Sequence, residues 1–591
     1  MNRNAHIISS SFWTFFVATV LSSAIGKLNS IASGIIVGQA IGPDAVSAVN
    51  LAYPVLNFIK IPPLFVVLGA GLLAAKAVGE RKYGEVRRLF TSAILVSATL
   101  SLLFALVVFA FSGEIAKLLT KDDRLLPHLA SYLGPVVFSC VPGGIYIAFS
   151  VFAKSIGKPR LVIRGALAAL LVNLAFTVLF VCVLGLGMKG VAYAMFLGGA
   201  SAAAALTPLF RADSQMIGFV RPARGWFGRM TLESIKLGIP LDIAATILAA
   251  VLLVLNLLVQ KIGGADAAFI LGIGMQMLIL DVFVFNGMSG AVLGIGGALW
   301  GEKDMVGYRI LLKLVFRILG VTQFAFVALV FLFPEALATV FGADAALAAK
   351  AAAPLWEFCL MFLPLCVLMV LVGIYTLEGH GLASTVMQCG LIVFILAPAS
   401  LAAWFLPSGF WLSIPFGLMF LLLLTAGWSF HISRRDRNLH WFTLAPKTDV
   451  FPEYAVSLKT GKASVSAVLD EIGRFLSGRS VPSAIVADVC WDAGEILGRL
   501  SAEMTEKGVE NWCDIRVVDV GEKDGREIRV IVKACGRRRD SIPGACFRAA
   551  SVKYDYFNGV NCVYCTFLLP SRQRRLPGAE GSVEVEKDIV V

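Results

Sequence analysis

Val37, Gly42, Asp44 and Ala45 recur in this chain as Val259, Gly264, Asp266 and Ala267, a separation of 222 residues. The same shift carries Gly79 and Glu80 to Gly301 and Glu302, Arg87 to Arg309, Phe111 to Phe333, Asp122 to Asp344, Pro142 to Pro364 and Gly157 to Gly379. One register held without a gap across several loops marks an internal duplication. The duplicated stretches are nearly all apolar, so each half must fold as a helical bundle in lipid, where every backbone group has to be satisfied within its own segment. A duplicated bundle of this kind is a common architecture of secondary transporters.

Composition agrees. Of 591 residues 58% are hydrophobic and 15% charged, and mean hydropathy is +0.82, far from the values of a soluble globular protein. Apolar runs at 12–39, 46–78, 90–111, 128–152, 161–184 and 191–209 are each expected to cross roughly 30 Å of hydrocarbon. Six more, at 237–259, 267–300, 310–333, 351–377, 383–405 and 411–430, make about twelve spans in two six-helix repeats. The expected fold class is an all-α polytopic membrane protein with a small α+β domain behind it. The expected divisions are 1–222 and 223–446 for the two lobes, 447–570 for the domain and 571–591 for a disordered end rich in charge and glycine.

Basic residues gather after the even-numbered spans: Arg81, Lys82, Arg87 and Arg88; Lys154, Lys158, Arg160 and Arg164; Lys303, Arg309 and Lys313; Arg434, Arg435 and Arg437. By the positive-inside rule both termini face the cytoplasm of a cell inner membrane, and the net charge of +12 is a topogenic signal rather than a nucleic-acid footprint. The first apolar run is too long for a cleavable signal and is expected to remain. Cys562 and Cys565 form a C-x-x-C inside the strand-like run NCVYCTFLL, and are read as ordinary strand residues because a zinc site needs more ligands.

After HISRRDR the composition turns soluble. A strand at 449–459, helices in SVSAVLDEIGRFLSG and SAIVADVCWDAGEILGRLSAEM, two strands joined at 523–525 and a last strand in NCVYCTFLL are expected.

Two resemblances follow from particular runs. IIVGQAIGPDAVSAVNLAYPV after the first span, AKSIGKPRL after the fourth and GLGMKGVAYA at the opening of the sixth resemble the multidrug and toxic compound extrusion (MATE) transporters. The resemblance covers about residues 10–430. It implies two six-helix lobes around a cleft, alternating access, and export in exchange for protons or sodium ions, with no bound cofactor. From about 452 to 569 the chain resembles the histidine-kinase-like ATPases of the anti-sigma-factor serine-kinase type. There the helix acid and magnesium-ligating Asn match Asp488 and Asp492, the adenine-recognising Asp falls at Ala534 ahead of the retained Gly536, and the Gly-rich lid has no counterpart between 544 and 558. With those groups altered, the domain reads as a non-catalytic relative with ATP binding disfavoured.

Ionisable groups deep in a bilayer are costly and are functional candidates by default. Lys27 and Lys60 fall within spans of the first half; Asp242, Asp281 and Glu357 fall within spans of the second. Subtracting 222 puts Asp281 at Ile59, beside Lys60, so the two are expected at matching depths on helices that border the cleft. They could pair across it. Alternatively, Asp281 is hydrogen-bonded within its own half and Lys60 bonds to carbonyls freed near Pro62 and Pro63. Asp242, just after Pro240, is expected near the surface as a solvated or capping group. Glu357, beside Trp356, is an interface anchor or a cation site, and Glu378 and His380 are loop surface groups. Ser23, Asn29, Ser30 and Ser33 form a polar stripe that lines the cleft or serves helix packing. Where proton-coupled relatives carry an acid on the first span this chain has Ser33, and the span-ten acid of sodium-coupled relatives falls near Val367, so coupling is expected to rest on second-half acids.

Three readings remain open on these grounds. One is a secondary exporter of amphipathic organic compounds. The second is a flippase for a lipid-linked saccharide or other anionic substrate, with Lys27 and Lys60 holding phosphate. The third is a membrane-anchored regulator acting through its C-terminal domain on a cytoplasmic partner.

Overall fold

The computed structural model describes residues 6–120, 122–212, 216–223, 225–341, 343–447, 451–459, 465–506, 512–522, 525–535, 546–557 and 560–569. The end segment 571–591 and Gly536 lie outside the described residues. The chain divides into a helical unit that runs through residue 450 and a second unit that starts at Phe451.

In the helical unit, α1 (His6–Ala40), α2 (Pro43–Gly79), α3 (Tyr83–Ala110), α4 (Leu126–Ser155), α5 (Arg160–Val183) and α6 (Gly187–Phe210) make the first half. The second half opens with one helical stretch, Phe227–Ala291, that breaks at Gly264, where φ is 57° and ψ −136°. The part before the break is α7. Beyond it come α8 (Asp266–Gly301), α9 (Met305–Leu332), α10 (Ala345–Leu377), α11 (Gly381–Phe405) and α12 (Pro407–Arg435). Among the described residues eleven helices are long and apolar enough to cross a membrane, against the twelve expected, and α7 is the one outside that set. Large side chains such as Leu118, Leu382 and Phe405 point outward from the bundle, as a hydrocarbon solvent permits. The chain is a multi-pass membrane protein.

Local chemistry sets the ends of the helices. The Asp304 and Asp344 carboxylates each accept a backbone N–H three residues on, from Gly307 and Leu347, at 2.8 Å, capping α9 and α10. The left-handed residues include three pairs 222 apart: Gly42 and Gly264, Arg81 (φ 59°) and Lys303 (φ 58°), Gly157 (φ 77°) and Gly379 (φ 95°). Where α2 meets α8, a Cβ on Gly79 would lie 2.0 Å from the Ala298 carbonyl oxygen, and one on Gly301 would lie 2.1 Å from that of Lys76. Lys76 and Ala298 are themselves 222 apart. The two halves therefore touch backbone to backbone, in reciprocal fashion, at the end of the bundle that carries the basic loops. Only hydrogen side chains fit such a crossing.

Beyond α12 the chain packs back onto the second half. Arg309 Nη1 donates to the carbonyls of Pro446 (2.9 Å) and Lys447 (2.8 Å), and the Tyr375 hydroxyl donates to that of Phe442 (2.8 Å). The helical unit thus keeps this segment.

The second unit is a five-stranded antiparallel sheet in the order β1-β2-β3-β5-β4, with β1 Glu453–Lys459, β2 Trp512–Glu522, β3 Gly525–Cys535, β4 Ser551–Phe557 and β5 Val560–Leu568. Helices α13 (Val465–Ser477) and α14 (Ser483–Glu506) pack Val468, Ile472, Val489 and Ile496 on alternate strand residues such as Ile515, Val517, Val530 and Cys565. Period-two burial selects those strand positions. β4 occupies the stretch that was expected to hold no counterpart of the lid.

Candidate functional site

A cavity of about 610 Å³ lies between the halves of the bundle, walled by Leu, Ile, Val and Met side chains. That volume is in the range that holds drug-sized molecules. Among the described residues three charged ones line it: Asp281 and Asp242 from the second half, Lys154 from the first. The Ser155 hydroxyl, next to Lys154, donates to the Gly71 carbonyl at 2.8 Å. Lys154 thus lies level with Gly71 of α2, about 12 Å along that helix from the Gly79 crossing.

Asp281 sits on α8 and is 3% exposed. Its Oδ1 accepts a hydrogen bond from Gln323 Nε2 of α9 at 2.5 Å, and the other amide atom, Gln323 Oε1, is buried without a partner. Asp281 is hydrogen-bonded within its own half; among the described residues it forms no ion pair with Lys60, which is half-buried on α2. Asp242 is not a surface cap. Helix α7 starts at Phe227, so Pro240 and Asp242 lie inside it rather than at its beginning, and the carboxylate lines the cavity. The Pro240 carbonyl accepts from Gln388 Nε2 of α11 at 2.8 Å, leaving Gln388 Oε1 buried and unpartnered beside the cavity.

The other sequence candidates lie elsewhere. Lys27 is exposed on α1, and neither it nor Lys60 or Glu357 lines the cavity. Glu357 has a buried Oε2 without a partner, while its neighbour Trp356 donates from Nε1 to the Phe331 carbonyl at 3.0 Å and stacks on the Phe331 ring. Of the polar stripe on α1, Ser23 lines the cavity. Asn29 Oδ1 accepts from Asn173 Nδ2 at 2.9 Å, joining α1 to α5, Ser30 bonds back to the Gly26 carbonyl, and Ser33 is half-buried. Glu378 is no surface group, since its Oε1 accepts from the buried Tyr308 hydroxyl at 3.1 Å and its Oε2 is buried without a partner.

Gln323, Gln388 and Lys154 escaped the sequence reading. The first two are uncharged, and Lys154 sits among loop residues that look purely topogenic. A signal was present nonetheless: an amide side chain in the middle of an apolar span is nearly as anomalous there as a charge.

In the second unit the acids at the positions matched to the helix acid and the magnesium-ligating Asn, Asp488 and Asp492, are engaged by the chain itself. Asp492 is fully buried on α14, and its two oxygens accept the backbone N–H groups of Arg548 (2.9 Å) and Ala549 (3.0 Å). Asp488 pairs with Arg548 Nη1 at 3.1 Å, and the Arg548 guanidinium lies 4.4 Å from the centre of the Trp491 ring. Burial pushes the Asp492 carboxyl above its ordinary range, and the two backbone bonds act against that. Cys562 and Cys565 both lie buried on β5, and burial pushes the Cys565 thiol up to about 12. No group of three or more metal-ligating side chains occurs among the described residues.

The comparisons with known proteins bear on the helical unit. The MatE family model matches residues 5–179. The multidrug export protein MepA of Staphylococcus haemolyticus (strain JCSC1435) is 24% identical over 283 residues, 46% of this chain and 61% of that protein. MepA of Staphylococcus aureus (strain bovine RF122 / ET3-1) is 25% identical over the same length and shares. The chain thus spans about three fifths of the curated relatives it matches. Among solved structures, a MOP superfamily transporter from Pyrococcus furiosus Vc1 superposes with a TM-score of 0.62 at 17% identity, over 70% of this chain and 93% of that one. An outward-facing multidrug resistance MATE family transporter of the MOP superfamily superposes with a TM-score of 0.63 at 18% identity, over the same shares. The helical unit has the fold of the MATE transporters of the MOP superfamily.

Proposed function

We propose that this chain is a MATE-family secondary exporter that moves amphipathic organic compounds, drugs included, by alternating access in exchange for protons or sodium ions. The single observation that carries this reading is the cavity between the halves with a buried acid, Asp281, held at its wall by one amide donor. An intramembrane carboxylate is retained where its charge is used, and one that faces a chamber can trade a proton or cation for substrate. The match to the MatE family and the similarity to multidrug export proteins support the substrate class.

In this reading the bundle is a duplicated set of twelve spans in the plasma membrane with both termini cytoplasmic, and the Gly79–Gly301 crossing closes its cytoplasmic end. Asp281 is the coupling group, Asp242 assists it, and no cofactor takes part. The C-terminal domain is a non-catalytic module for a cytoplasmic protein partner, because Asp488 and Asp492 are held by Arg548 and Ala549. The flippase reading has less support, since Lys27 and Lys60 stand outside the cavity.

The test is transport by the purified chain in liposomes under imposed proton or sodium gradients. One of the two gradients is expected to drive dye movement by the wild type, and Asp281→Asn is expected to lose that dependence. Equal gradient-driven transport by the variant would remove Asp281 from coupling, and no response to either gradient would remove the exporter reading.

A further inference from the structure

The charges on the cavity wall are divided by half of the molecule, and the basic share is a built site. Lys154 follows Ser150 and Tyr146 on α4 at intervals of four, so the three occupy one face of that helix, and all line the cavity. Ser150 is 7% exposed, with the Tyr146 side chain as its polar neighbour. Thr19, which lines the same cavity from α1, is 5% exposed and its Oγ1 has no hydrogen-bond partner among the described residues. Lys154 forms no ion pair among the described residues. An ammonium and two buried hydroxyls therefore line one largely apolar chamber. The second half has no equivalent: the position 222 residues beyond Lys154 is Thr376, whose hydroxyl donates to the Val372 carbonyl at 2.7 Å, and the position beyond Ser150 is Val372.

We propose that Lys154, Ser150 and Thr19 form an anion subsite within the cavity, which takes the carboxylate or phosphate of an amphipathic zwitterion whose amine faces Asp281 and Asp242. The proposal rests on the reading of the cavity as the substrate chamber. Two acids and one base make the lining net acidic, which disfavours a ligand that is only anionic. The separation of base and acids on opposite halves calls for a molecule carrying both signs. Hydroxyl and ammonium donors to a carboxylate or phosphate oxygen are charge-assisted and roughly twice as strong as neutral hydrogen bonds. A helix-terminal role for Lys154, near the end of α4, would stabilise the fold without distinguishing ligands.

Equilibrium binding to the full chain in nonionic micelles separates these roles. The probes are three fluorescent compounds on one apolar skeleton: a primary amine, the same amine with an added carboxylate, and the carboxylate alone. The wild type is expected to bind the zwitterion about tenfold or more tighter than either other probe. Lys154→Gln is expected to abolish that preference while amine binding stays within about twofold, and Lys154→Arg to retain most of it. Ser150→Ala and Thr19→Val, read the same way, should each lower zwitterion affinity about threefold and cover the case in which Lys154→Gln does not fold. A wild type without preference for the zwitterion, an unchanged preference in Lys154→Gln, or equal losses for amine and zwitterion would each overturn the subsite. A competition arm names the source of the chemistry. Displacement by short-chain phosphatidylethanolamine but not phosphatidylglycerol assigns the subsite to a lipid headgroup, displacement by neither assigns it to a soluble zwitterion, and both results support it. Intact discrimination in binding without gradient-driven transport would sink the exporter reading and leave the subsite. Transport that ignores Lys154 would do the reverse.

Discussion

The two halves of the bundle agree in backbone and disagree in chemistry. Gly79 and Gly301 each lie within 2.1 Å, measured from a built Cβ, of a carbonyl oxygen on the other half. Arg81 and Lys303 share a left-handed backbone conformation to within a degree of φ. Yet Asp281 corresponds to Ile59, Gln323 to Ser101, Gln388 to Ala166, and Lys154 to Thr376. Helix crossings and turns tolerate few residue types, so they persist after duplication. A polar group inside a membrane persists only where something uses it. The difference teaches that the shared residues mark how the halves fit together and the unshared ones set the chemistry of the cavity between them.

The comparison can be broken most sharply at the crossing. Gly79→Val and Gly301→Val each force a side chain into a carbonyl, and overpacking of that kind costs about 1–3 kcal/mol or more. Both are expected to prevent closure at that end and to lower transport about tenfold or more. The pair Lys76→Cys and Ala298→Cys should cross-link less readily in either background. Clearly unequal effects would mean that the backbone contact is not reciprocal.

A somewhat smaller effect is expected at the unshared positions. Gln323→Leu removes the donor to Asp281, and the loss of a hydrogen bond to a charged group is worth about 1.5–3 kcal/mol. Coupled transport is expected to fall about tenfold or more, whereas Ser101→Ala, its counterpart, should stay within about twofold. Parallel losses, read as initial rates under the driving gradient, would make the two halves chemically equivalent after all.

The contrast extends to Asp492, a buried acid whose two oxygens are occupied by backbone donors, where Asp281 has one side-chain donor and a cavity beside it. Asp492→Ala leaves the Arg548 and Ala549 N–H groups without partners, a loss of about 1–3 kcal/mol. Faster hydrogen exchange at those amides in the full chain, with transport by the helical unit unchanged, is the expected result; lost transport with slow exchange would contradict it.

The weakest expected effect is on pH. An acid raised by burial binds a proton in the folded state before it does so unfolded. The domain should therefore gain stability as pH falls from the raised value toward the ordinary one near ~3.9, and lose that gain as pH rises through the raised value. Asp492→Asn should flatten this slope in denaturant titrations of the full chain, and a slope that survives the substitution assigns it to other groups.

The sequence carried much of this plan because lipid leaves little choice. Runs such as 90–111 and 310–333 could only be spans, and the helices and strands seen at 465–477, 483–506, 512–522, 525–535 and 560–568 follow visible periodicities. β4 was missed because SVKYDYF interleaves charge with aromatic residues inside a stretch to which no element was assigned. The site was legible in part. Asp281 and Asp242 stand out as charges among apolar neighbours, but which partner each finds depends on how helices rotate against one another, and spacing along one chain does not encode that rotation. Matching depth placed Asp281 level with Lys60, while rotation set it against Gln323. Lys154 was hidden by its company: four basic residues within a dozen positions read as one topogenic cluster, although the first of them faces inward.

The anchoring of residues 442–447 gives the two halves unequal mechanical standing. Arg309 and Tyr375 fasten the end of the helical unit to the half that carries the acids, and to that half alone among the described contacts. A tension applied through the chain beyond residue 447 therefore enters the bundle at a single fulcrum. Rocking of one half against the other would pull on that leash from the acidic side, and a partner that shortened the leash would load one arm of the rocker and leave the other free.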